Sequence, residues 1–84
     1  MRAYLHPGVG RFTRGKAYCV EYVRDDDTIA GFETFYANDG RKNRAGAVAT
    51  AKARLTGKIT PAGSWLLPNL PTNFSLERTS EIKA

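Results

Sequence analysis

The stretch "AYCVEYVRDDDTIAGFETFYA", residues 17–37, decides how the rest of the chain reads. Residues 17–24 are rich in β-branched and aromatic side chains and read as a strand. Its alternating sets are Tyr18/Val20/Tyr22 and Ala17/Cys19/Glu21/Val23, and the first is the expected core side. "DDDT", 25–28, reads as a polar turn, and "IAGFETFYA", 29–37, as a second strand in which Phe32 alternates with Glu33. Two strands joined by so short a connection make an antiparallel hairpin.

Downstream lies "DGRKNRAGAVATAKARLTGK", residues 39–58. A helical wheel centred on Val48 places Ala51 and Leu55 on its face and Ala47 at the edge, which predicts a helix over 44–55. Asp39 or Asn43 is placed to cap its start, and Gly57 stands where a C-terminal glycine belongs. Alanine density lets such a helix lie close on a sheet, although Gly46 costs about 1 kcal/mol relative to alanine. Residues 1–16 read as an irregular start or a short strand before a turn. Three of the four prolines fall after residue 58, so short strands around Trp65–Leu67 and in "NFSLER" are confined to edges. The expected fold is one α+β domain over 1–84: a small antiparallel sheet of three to five strands with one alanine-rich helix packed on one face.

Composition narrows the function classes. With 84 residues the chain buries only about 60–65% of its unfolded surface, enough for one modest core and too little for a deep walled site. The net charge of +5 favours acidic partners. It is unevenly spread: residues 25–40 carry five acids and no base, and 41–58 carry six bases and no acid. The single cysteine, Cys19, excludes an internal disulfide framework and fits a reducing compartment. No apolar run approaches the roughly 18 residues that span a membrane. The expectation is a soluble cytoplasmic protein.

Motifs for catalysis fail on chemistry. "GRFTRGKA", 10–17, approximates a phosphate-binding loop, but Ala17 replaces the magnesium-binding hydroxyl and a strand follows where a helix should. The only imidazole, His6, lies next to Pro7, and Cys19 falls in mid-strand, where cysteine serves as small core filler. The triplet Asp25–Asp27 lacks the spacing of a calcium loop, and one His with one Cys makes no zinc site. The expectation is no catalytic residue, no metal and no cofactor. Phe32, Phe35 and Tyr36 are read as core before a base-stacking platform. Trp65, Leu66, Leu67 and Leu70 are read as core cover before a partner anchor.

Arg41, Lys42 and Arg44 crowd the helix N-terminus, against the helix dipole, where an anion or an acidic partner would offset them. Lys52 and Arg54 flank the apolar stripe. These five are the candidate contacts, with protein carboxylates or with the phosphates of DNA or RNA.

The layout "YCVEYVRDDDTIAGFETFYA…AGAVATAKARL", a hairpin running into an alanine-rich helix, resembles that of small phage-encoded proteins, notably anti-CRISPR proteins. More loosely it resembles a small phage inhibitor of bacterial RNA polymerase. The resemblance spans about residues 17–67 and lies in layout, so it carries no residue over. It implies a non-catalytic inhibitor that occupies a surface of a host complex, a CRISPR effector or RNA polymerase. "GRKNRAGAVATAKARL" is also similar to the end of a double-stranded-RNA-binding domain, without that family's first helix or its paired lysines at Asn43–Arg44. "RFTRGKAYCVEYV" with "NDGR" resembles the opening of small SH3-like barrels, which carry no such central helix. The expectation from these readings is an anti-CRISPR-type inhibitor acting by direct protein contact, with a nucleic-acid-binding protein as the alternative.

Overall fold

A computed structural model of the protein describes residues 1–9, 17–36, 43–57 and 66–83. In chain order these residues form β1 (Arg2–Pro7), β2 (Tyr18–Val23), β3 (Ile29–Phe35), α1 (Asn43–Leu55) and β4 (Ser80–Ile82). The four strands make one antiparallel sheet in the order β3-β2-β1-β4. The fold is α+β, a small antiparallel sheet with one helix packed on one face.

The hairpin forms as its sequence dictates. Tyr18 pairs with Phe35 and Tyr22 with Gly31, after which the register slips so that Val23 faces Ile29. Ala30 is the extra residue of this bulge, a device that bends one strand locally. In the connecting turn Asp27 N–H donates to the Arg24 carbonyl at 2.9 Å, and Asp27 adopts φ 69°. An aspartate tolerates that left-handed conformation better than most residues.

The face of the sheet carrying Ala3, Leu5, Val20, Tyr22 and Phe35 packs against Ala47 and Ala51 of α1, with Leu66 and Ile82 completing the core. Tyr18/Val20/Tyr22 is therefore the helix side, as expected. The buried line of α1 runs through Ala47 and Ala51, with Val48 and Leu55 half-buried beside it. That is a rotation of about one residue from the Val48-centred wheel, because two alanines let the helix backbone approach the sheet. α1 ends as predicted at Gly57 (φ 81°), whose N–H donates to the Arg54 carbonyl at 3.1 Å.

Burial of the opposite face was not expected. Ala17, Cys19 and Phe32 lie there beneath Phe74, with Leu70 alongside. The C-terminal segment supplies this cover by crossing from one edge of the sheet to the other. At the β3 edge, Leu67 and Phe32 exchange both backbone hydrogen bonds, at 2.8 and 2.9 Å. At the β1 edge, the Asn73 carbonyl accepts from Val9 N–H and Ser75 N–H donates to the Pro7 carbonyl, both at 2.8 Å. The chain then continues beside β1 as β4. The short strands expected around Leu66–Leu67 and in "NFSLER" are single bridges, Phe32–Leu67 and Gly8–Phe74, and the true last strand is Ser80–Ile82. Trp65 lies outside the described residues.

Two glycines hold this path for different reasons. A Cβ on Gly31 would meet the Leu66 Cβ at 2.5 Å, and its φ of 152° already disfavours a side chain. Gly57 has open space around it, so only its backbone angle matters. Gly31→Ala is expected to lower stability by about 2 kcal/mol through overpacking, and Gly57→Ala by about 1 kcal/mol through backbone strain alone. Urea midpoints at constant slope measure both.

Candidate functional site

The five candidate contacts divide three ways. Arg41 and Lys42 lie outside the described residues, immediately ahead of α1 in sequence. Arg44 and Lys52 are exposed on α1. Arg54 is turned to the sheet, its side chain only 9% exposed, and it grips Glu33 with two hydrogen bonds: Nε to Oε1 at 2.7 Å and Nη2 to Oε2 at 2.6 Å. The Tyr22 hydroxyl also donates to Glu33 Oε1, at 2.9 Å. Burial, reinforced by the Glu33 charge, pushes the Tyr22 phenol well above its usual range, so the hydroxyl keeps its proton and donates. A signal for this pair was present in the sequence. Glu33 and Phe35, two positions apart, share the core side of their strand, and Arg54 follows Ala51 by three residues, one turn along the same helix face.

A second buried polar cluster lies on the strap side of the sheet. His6 (3% exposed) and Glu21 (4% exposed) are its buried members. His6 Nδ1 donates to the Ser75 carbonyl at 2.8 Å, and Nε2 lies 2.9 Å from Glu21 Oε1. Arg78 donates from Nε to the same oxygen at 2.9 Å and from Nη2 to Oε2 at 3.0 Å. The Arg78 guanidinium stacks over the Tyr4 ring 4.1 Å from its centroid, while the His6 ring meets Phe32 edge-on. Arg78 above all, helped by His6, holds the Glu21 carboxyl below its ordinary range against the opposing effect of burial. Sequence reasoning missed this cluster because its members come from three separate segments. Only the register, which places His6 opposite Cys19 and beside Glu21, brings them together.

Both ring nitrogens of His6 are engaged, and every buried side-chain nitrogen or oxygen among the described residues has a hydrogen-bond partner. Cys19 is fully buried, and desolvation with the nearby Glu21 charge pushes its thiol up to about 12, away from nucleophilic reactivity. Among the described residues no group of three or more His, Cys, Asp or Glu is placed to hold a metal ion, and no helix is long and apolar enough to cross a membrane.

Charge is partitioned just as sharply. Of the thirteen bases and eight acids, six bases (Arg11, Arg14, Lys16, Arg41, Lys42 and Lys58) and one acid (Asp39) fall in the stretches 10–16, 37–42 and 58–65. The described residues hold seven of each, so the whole surplus of +5 belongs to those three stretches. Four of the seven acids among the described residues are ion-paired: Glu21 with Arg78, Glu33 with Arg54, Asp27 with Arg2 and Asp25 with the Met1 amino group. The bases Arg44 and Lys52 make no hydrogen bond or ion pair among the described residues. Pro7, Tyr18 and Phe35 are neighbours across the sheet, so stretches 10–16 and 37–42 both attach near one end of it.

Fold and site together define a small α+β protein with two internal carboxylate–arginine locks and a basic surplus outside its described fold. No known family, curated protein or solved structure matches the chain.

Truncating Arg54 to alanine strands the buried Glu33 and is expected to lower stability by about 3 kcal/mol, read from urea unfolding. Glu21 carries the acid sensitivity. Its folded-state pKa is depressed, so its contribution is complete above the ordinary value of 4.5 and is lost as pH falls through the folded value. Asp25 and Asp26 shift the same way at the surface. The Glu21-specific part is the difference between wild type and Glu21→Gln. Stability of the variant measured between about pH 6 and pH 3 should fall less steeply than that of wild type.

Proposed function

We propose that this chain is a non-catalytic binding protein whose basic surface engages an acidic partner. The observation that supports this reading is the charge partition. Four of the seven acids among the described residues are held in ion pairs, the net surplus of bases lies in the sequence stretches 10–16, 37–42 and 58–65, and Arg44 and Lys52 stand exposed on α1. Arg41, Lys42, Arg44 and Lys52 are the contacts, and Arg54 supports them from inside by tying α1 to β3. Within this reading the chain is an inhibitor of a host nucleic-acid machine, of anti-CRISPR type, phage- or mobile-element-encoded and acting in the bacterial cytoplasm by direct protein contact. The hairpin-into-helix layout supports that version.

A second reading, binding of DNA or RNA in its own right, is favoured by one specific observation. The first turn of α1 carries no acid, and Arg44 stands there beside Arg41 and Lys42 in sequence. That is a setting in which phosphate would offset both the dipole and the side-chain repulsion.

A pull-down from bacterial lysate with and without nuclease separates the two. The inhibitor reading expects a stoichiometric protein complex that survives nuclease. Capture that disappears with the nucleic acid, together with a steep loss of bare-DNA affinity between about 50 and 200 mM salt, would establish the second reading instead. In either mode Arg44→Glu and Lys52→Glu should each weaken capture about fivefold or more. Capture unchanged in both variants would refute the basic-surface reading.

A further inference from the structure

The two faces of the sheet are covered on different terms. Among the described residues the helix face closes over an apolar core of nine buried residues, from Ala3 to Ile82. Among the described residues the other face closes over four, Ala17, Cys19, Phe32 and Phe74. The segment that covers it is itself mostly in water. Between Leu67 and Thr79 only Phe74 is buried, and Leu76 is 86% exposed. Few buried apolar contacts and an exposed backbone mark segments that open below the global unfolding free energy.

What lies beneath is suited to water. The strap-side residues of β1, β2 and β3 include Tyr4, His6, Glu21 and Thr34, so uncovering this face would hydrate a carboxylate and an imidazole. Uncovering the helix face would instead expose Leu5, Val20 and Phe35. The strap is tied at both edges by backbone hydrogen bonds, and across its span by side-chain bonds that converge on Glu21 and His6.

We propose that residues 67–79 form a latched strap that opens locally, uncovering one face of the sheet while the helix face stays packed, with the Arg78–Glu21–His6 cluster as its latch. Opening leaves β2 and β3 paired and presents Phe32 and Cys19 beside a polar rim. This is a conformational device, independent of the basic surface.

Cys19, the chain's single cysteine, lies under the strap and reports its opening. The experiment is alkylation of Cys19 in the whole chain by iodoacetamide at fixed pH, followed by intact mass, in increasing urea below the unfolding transition. Local opening predicts a labelling rate nearly independent of urea at low concentration. It also predicts that Arg78→Gln speeds labelling about tenfold, whereas Ala47→Gly, which weakens only the helix face, leaves the rate unchanged. Labelling that follows the full urea slope of global unfolding, with Ala47→Gly accelerating it as much as Arg78→Gln does, would overturn the proposal. Urea-independent labelling that Arg78→Gln does not change would overturn the latch.

Discussion

β2 is buried on both of its faces, and the rest of the fold answers that constraint. It pairs with β1 on one side and β3 on the other, and five of its six residues, Cys19 to Val23, are buried. A strand buried on both faces needs two covers. The chain supplies an amphipathic helix for one and, for the other, a proline-containing segment that crosses the sheet from edge to edge. Burying Glu21 within that strand sets the further requirement that its carboxylate be paired. Arg78 from the strap and His6 from β1 meet it.

The same logic governs the helix face, where Glu33 is the inward-facing carboxylate and Arg54 its partner. Each cover is thus fixed to the sheet by one arginine–carboxylate fork of two hydrogen bonds, a geometry that specifies orientation as well as energy. Apolar packing alone would let an alanine-rich helix slide along the sheet. The Arg54–Glu33 fork selects one position, and the Tyr22 hydroxyl completes the acceptor's coordination.

Legibility followed the range of the interactions. The hairpin was readable because alternation and a polar turn are local signals. The helix was readable from its alanines and from Gly57. Its rotation about its own axis was not, since Val48 is the better hydrophobe but Ala47 and Ala51 permit the closer approach. β4 carries no alternating pattern in three residues; it is a strand because β1 offers an edge. Among the candidate contacts, Arg44 and Lys52 are exposed as a surface role requires, while Arg54, read as a partner contact on the flank of the apolar stripe, turns instead to the inward-facing Glu33.

Local chemistry, read from the sequence by itself, determined the α+β class, the hairpin, the helix and its stop, and the net positive charge, because these depend on residues a few positions apart. Tertiary structure decided the rest: that both faces of β2 are covered, that the C-terminal segment is a strap, and that Glu21 collects His6 and Arg78. Those contacts join residues 15 and 57 positions apart. The physical reason is that a buried charge accepts any partner the fold can bring within hydrogen-bond reach, and nothing in the local sequence states which one that will be.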